Sequence, residues 1–379
     1  MMVGKGGPNG MARGGARQRV LKALNHEQPD AVPVHVMGFE PIDHWLEHFG
    51  VEDNFALRKA LGLDLQEARP VYTGGYAKPG RDIWGNVVRV EGADGAGYGS
   101  ARGGYPLAGA ESVADVDGFD WPDPDDFDYQ VVADVLRTVP EDVARFVKIQ
   151  YVIPADGQSR LSAARSGAPW VPLLCSLFDL FGMEKTLIDL HAAPALIEAG
   201  IRHVEEFILA FAERLLEATR GLVDVFYFGD DFAGQTGMLI SPDHWRRYLK
   251  PSYARIYGLG KSYGLKVWVH ECGTFRPVLP DMIDIGMDVW ETVQVHLPGN
   301  EPEVLKREYG RDLAFYGAIS TQSTLPSGTE EDVRAEVRER VRVLGKGGGY
   351  ICGSDHSIMA DVPVENVMAM LDEARRFRF

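Results

Sequence analysis

The first chemical signal lies at the end of one apolar run. KVWVHECGTF, residues 266–275, places His270 and Cys272 two positions apart in a chain with only three cysteines. Alternate side chains of a strand share a face, so Trp268, His270 and Cys272 are expected to line up. An imidazole and a thiolate on one face can hold a metal ion without straining the backbone. Zinc suits this mixed pair, and a catalytic zinc takes three protein ligands and keeps a fourth position open. The competing reading is a satisfied histidine beside a small buried cysteine. A cysteine nucleophile is a weaker rival, because no base is evidently placed for it.

The third ligand has to come from another segment. YICGSDHSI, residues 350–358, offers Cys352 and His356. Cys352 sits inside the apolar run, where cysteine behaves as a small hydrophobe, whereas His356 lies beyond it. The predicted set is therefore His270, Cys272 and His356, with Cys352 as the alternative third ligand. Such a centre can lower the pKa of a bound water or hold a substrate thiol as thiolate. A cysteine ligand makes the metal less electrophilic, which favours the second use.

Other candidates surround this set. FGDDFAGQ, residues 228–235, contains Asp230 and Asp231. Adjacent carboxylates point to opposite sides of a strand, so one of them is expected to face a pocket as acid, base or partner of a cationic group. A helix cap or a salt bridge is the structural alternative. Gln294 is a weak fourth donor or a substrate hydrogen-bonder. Glu291 is a substrate contact or a solvated carboxylate, and Trp268 belongs to a pocket wall or to the core. Glu271 is expected to point away from the metal.

Positioning these residues requires a particular scaffold. From residue 145 onward, apolar strand-like runs alternate with amphipathic helical stretches. That alternation predicts βαβ units and a parallel sheet. About seven or eight strands, counted from AVPVHVMGF at residues 31–39, predict an α/β fold of the (β/α)8 barrel (TIM barrel) type. A doubly wound open sheet is the alternative, weakened because no GxGxxG or P-loop follows a strand. Four strands end in polar clusters, GDD, HEC, ETVQ and GSDHS, and a barrel would gather them on one face. Residues 1–16 read as a disordered tail and 17–379 as a single barrel domain. Glycines and alternating apolar positions at about 70–129 read as an inserted β-meander or hairpin excursion.

Bulk properties narrow the function classes. Hydrophobic residues make up 45% of the 379, enough for a large core. The net charge of −16 repels phosphate backbones and anionic lipid, which argues against nucleic-acid and membrane-surface partners. Cysteines at 175, 272 and 352 form no disulfide framework and fit a reducing compartment. No run approaches the roughly 20 apolar residues of a membrane span, and the N-terminus lacks an apolar signal core. The expected location is the cytoplasm.

Several stretches together resemble the uroporphyrinogen decarboxylase superfamily, and within it the corrinoid-linked, zinc-dependent methyltransferases. They are RQRVLKALNHEQPDAVPV from residue 17, GAPW at 167–170, GDDFAGQTGMLISPDHWRRYLKP from 229, HECGTFRPVLPDMIDIGMDVWETVQ from 270, GTEEDVRAEV from 328 and GGYICGSDHSIMADVPVENVMAM from 348. The resemblance implies a (β/α)8 barrel with its pocket at the C-terminal strand ends. It implies zinc on an HxC pair, matched by His270 and Cys272, plus a later cysteine that aligns at or near His356. Histidine stands there in this chain, which leaves the third ligand open between His356 and Cys352. The decarboxylases of the superfamily use no metal and hold substrate carboxylates with an arginine-rich N-terminal segment. The corresponding VPVHVMGFEPIDHW contains no arginine.

The expected function is zinc-dependent methyl transfer between a corrinoid and a small substrate, either a methyl donor or a thiol or other acceptor. The corrinoid is expected to come from a partner protein, since nothing in the chain resembles a cobalamin-binding domain. A cofactor-free decarboxylase or lyase, with Asp230 or Asp231 as acid–base group, is the runner-up. A non-enzymatic tetrapyrrole or corrinoid carrier is the third reading.

Overall fold

The structure is a computed structural model that describes residues 15–75, 81–90, 100–153 and 169–379. Seven short runs, most of them rich in β-branched and aromatic residues, form one sheet. They are β1 (Leu65–Ala68), β2 (Ala144–Lys148), β3 (Val225–Gly229), β4 (Lys266–His270), β5 (Val289–Val293), β6 (Ala314–Ile319) and β7 (Tyr350–Ser354). They lie side by side in chain order, each parallel to the next. Parallel neighbours need long crossovers, and helices such as Pro194–Ala218, Lys250–Ser262 and Glu330–Leu344 supply them.

The sheet curls until its two edges meet a common segment. Val34 bridges Cys352 of β7 in parallel. His35 N donates to Cys352 O at 3.0 Å and Cys352 N donates to Pro33 O at 2.9 Å. Toward the other edge, Asp64 N, just ahead of β1, donates to Val34 O at 3.0 Å. The predicted first strand, AVPVHVMGF, is thus reduced to a short bridging segment; Pro33 has no N–H to extend a ladder. The architecture is α/β and barrel-like.

Both faces of the sheet are apolar, as a sheet covered on both sides requires. Tyr227, Trp268, Val289, Tyr316 and Ile351 form an inner cluster, joined near the strand starts by Val20, Ala23 and Leu24 of helix α1 (Ala16–Leu24). Val147, Phe226, Val267, Trp290, Phe315 and Cys352 belong to the outer cluster beneath the helices. Each fully buried apolar side chain contributes about 1.5–3 kcal/mol, so the strand parity that separates the two sets is strongly enforced.

In the 70–129 stretch, Val71–Tyr72 pairs antiparallel with Phe127–Asp128, and Val87–Val90 with Ser100–Gly103. A short helix, Val113–Asp117, is closed by a capping box between Ser112 and Asp115. Residues 76–80 and 91–99 of that stretch lie outside the described residues, as do 1–14 of the predicted tail and 167–168 of the GAPW motif. Among the described residues no helix is long and apolar enough to cross a membrane.

Candidate metal centre

Inward parity on β4 runs through Trp268 and His270, and Cys272 follows two residues later where the chain turns. Gly273, at φ +82°, makes that turn; a Cβ there would lie 2.3 Å from Gly234 O. On the neighbouring strand, Gly229 pairs with His270. A Cβ at Gly229 would sit 2.9 Å from the His270 Cβ and 3.1 Å from Trp170, so the missing side chain makes room for the imidazole.

His270 Nε2 lies 3.5 Å from Cys272 Sγ. His356 arrives from the loop after β7, its ring centre 5.7 Å from that of His270. One ligand atom from each of His270, Cys272 and His356 falls within 4.8 Å of the others. Bonds of about 2.0–2.3 Å in a tetrahedral zinc site put donors roughly 3.3–3.8 Å apart. The His270–Cys272 pair fits that spacing, and His356 has to approach by about an ångström. Its Nδ1 accepts from Ser357 N at 2.7 Å. That bond occupies one ring nitrogen and leaves the proton on the other in the neutral ring, so ligation requires the ring to release Ser357. Burial lowers the His356 pKa to about 4, which keeps the imidazole neutral, as a ligand must be.

The surroundings favour a cation. Burial disfavours a charged His270, yet Cys272, Glu291 and Asp231 together raise its pKa well above the usual value. Glu291 Oε1 lies 3.3 Å from His270 Nδ1. Trp268 Nε1 donates to Glu291 Oε2 at 2.6 Å and the Tyr227 hydroxyl to Oε1 at 3.0 Å. A carboxylate behind a ligating imidazole is the usual support of a metal-bound histidine.

The remaining predicted residues divide by parity. Asp231 Oδ1 is 3.7 Å from His270 Nε2, with its side chain 37% exposed. It accepts from Cys272 N at 3.4 Å, and partial desolvation raises its pKa. Asp230 turns the other way. It accepts from Leu174 N at 2.6 Å, Cys175 N at 3.1 Å and the Tyr253 hydroxyl at 2.7 Å, and so caps the helix Leu174–Phe181. Gln294 Oε1 accepts from Gly273 N at 2.9 Å and fixes the loop after Cys272. Glu291 is 1% exposed, a support for His270 rather than a solvated group, and Trp268 is buried in the inner cluster. Cys352 points into the outer layer, outside the His270–Cys272–His356 group. Glu271 faces away, accepting from Phe232 N and Ala233 N.

Two features escaped the reading from sequence. Lys148, at an inward position of β2, pairs with Glu67 at 3.1 Å and lies 4.4 Å from the Tyr227 ring centre. A lysine inside the apolar run RFVKIQYVI was the available signal. Asp355, beside His356, is fully buried; Oδ1 accepts from Thr321 N and the Thr321 hydroxyl. Its inward parity was legible in GSDHS, but its partner on another loop was not.

A curled parallel sheet with a histidine–cysteine cluster at its C-terminal rim defines a barrel-like α/β protein with a group that could hold a metal ion. Residues 108–377 match the uroporphyrinogen decarboxylase (URO-D) family, and the chain belongs to it. Over 207 residues it is 26% identical to the methylated-thiol–coenzyme M methyltransferase of Methanosarcina mazei, covering 53% of this chain and 51% of that protein. The chain thus matches about half the length of that relative. A solved methyltransferase structure from Methanosarcina mazei superposes with a TM-score of 0.62 at 21% identity, over 95% of this chain and 98% of the other. That likeness is one of fold.

Proposed function

We propose that this protein is a zinc-dependent methyltransferase that moves a methyl group between a corrinoid and a small substrate, either a methyl donor or a thiol or other acceptor. The observation that carries the reading is the convergence of His270, Cys272 and His356 at one strand-end rim. Family membership and the similarity to a methylated-thiol methyltransferase support it.

His270 and Cys272 would hold the metal as a preformed pair, and His356 would complete the set after releasing Ser357. When bound, zinc supplies polarisation of a substrate heteroatom and holds an acceptor thiol in its thiolate form. Asp231, partly exposed beside His270, accepts the thiol proton or returns one to a leaving heteroatom. Asp230 keeps the helix Leu174–Phe181 and the loop before it in place. Gln294 and Gly273 fix the Cys272 loop. The corrinoid arrives on a partner protein, and residues 17–379 act as one barrel domain.

Metal analysis tests the reading. Wild type and Cys352→Ser should retain about one zinc per chain, while Cys272→Ser and His356→Ala lose it. Wild type should also transfer methyl from methylcobalamin to a thiol, and chelation should abolish the transfer. Protein that is nearly free of zinc, yet active and indifferent to chelation, would overturn the proposal.

A further inference from the structure

We propose that Tyr227 and Trp268 are positioning residues for His270, acting through Glu291; the inference rests on the zinc reading above. Both belong to the buried inner cluster, and by residue type alone they are core. Their polar atoms say otherwise. The Tyr227 hydroxyl donates to Glu291 Oε1 at 3.0 Å and Trp268 Nε1 donates to Oε2 at 2.6 Å. Each oxygen of a fully buried carboxylate is therefore held by a donor on another strand of the sheet, the adjacent β4 or β3 beyond it.

This arrangement fixes more than Glu291. Both carboxylate oxygens already accept from these two donors, so the carboxylate meets the imidazole as an acceptor. The His270 Nδ1, 3.3 Å away, then carries a proton, so Nε2, 3.5 Å from Cys272 Sγ, is the ring nitrogen that gives up its proton when a metal binds. Losing either donor lets the carboxylate rotate and weakens its hold on Nδ1. Phe146 separates this role from packing: it stacks on Trp268 at 6.4 Å and 12° but has no polar atom.

The test compares Trp268→Phe and Tyr227→Phe with Phe146→Leu by two measurements. Zinc affinity, from competition with a chromophoric chelator, should fall roughly 10–100-fold in the first two variants and less than about threefold in the third. In metal-free, ¹⁵N-histidine-labelled protein, the downfield His270 Nδ1–H signal should be present in wild type and Phe146→Leu, and shifted or broadened by exchange in the other two. Tyr227→Phe removes one atom, so it decides the matter if Trp268→Phe does not fold. An unmoved proton signal in Tyr227→Phe overturns the inference, as does an equal effect of Phe146→Leu. Failure of wild type to bind zinc would refute the zinc reading alone, because the proton signal still reports on the positioning.

Discussion

Asp230 and Asp231 are consecutive in the chain and serve opposite sides of the same strand end. Asp230 is locked behind the sheet by Leu174 N, Cys175 N and the Tyr253 hydroxyl. Asp231 stands at the rim, with Oδ1 at 3.7 Å from His270 Nε2. One peptide unit separates a carboxylate that caps a helix from one that stands beside His270.

Asp230→Ala should lower stability by about 1–3 kcal/mol, because it leaves buried donors unpaired. Zinc affinity should change little. Asp231→Asn should do the reverse: near-normal unfolding, with methyl transfer slowed roughly 10²-fold or more. Denaturant unfolding alongside turnover measures both, and a stability loss confined to Asp231→Asn would contradict the division.

Cys272 and Cys352 should separate in the same way. Cys352 is 1% exposed within the outer apolar layer, so Cys352→Ser buries a hydroxyl and should cost about 1–3 kcal/mol without loss of metal. Cys272→Ser should lose the metal and retain its melting temperature in the metal-free state. Elemental analysis paired with calorimetry distinguishes these outcomes.

Asp355 and His356 pull metal-free stability in opposite directions. Burial raises the Asp355 carboxyl from 3.8 to about 6. Across that window the folded chain keeps a proton that the unfolded chain releases, so stability falls as pH rises. Burial lowers His356 from 6.5 to about 4. There the unfolded chain binds the extra proton, so stability rises with pH. In wild type the two slopes nearly cancel. Asp355→Asn should expose the rise and His356→Gln the fall, each by up to roughly 3 kcal/mol. Unfolding titrations of the metal-free variants through that range, each read as a difference from wild type, would show no change of slope if burial of this pair were not the cause.

Gly229→Ala should disturb the centre without replacing any of its residues. The new Cβ would press on the His270 Cβ at 2.9 Å and on Trp170 at 3.1 Å. A tight site resists such overpacking by about 1–3 kcal/mol. Zinc affinity should drop, and an unchanged affinity would mean that His270 relaxes without leaving its place.

Much of this protein is written locally. Ser241 followed by Pro242 shows how local such signals are: capping chemistry sits within a few residues, and the Ser241 hydroxyl accepts from His244 N at the helix start. The strand–helix alternation predicted a parallel sheet because apolar periodicity is a local property. His270 and Cys272 were legible as a pair because strand parity needs only a spacing of two. The bridging segment at Val34 was less legible, since its partners Cys352 and Asp64 lie on different elements.

The assignments that parity left open were settled only by the tertiary structure. Sequence could state that one of Asp230 and Asp231 faces inward, but not that the outward one meets the start of the helix Leu174–Phe181. It could suggest Glu291 and Trp268 as pocket residues, yet their bonds join β4 to β5 in a register that hydrogen bonding between strands sets. Spacing along one strand is determined by the chain itself. Contact between strands is decided by how the sheet curls, because that is what brings side chains distant in sequence within bonding distance.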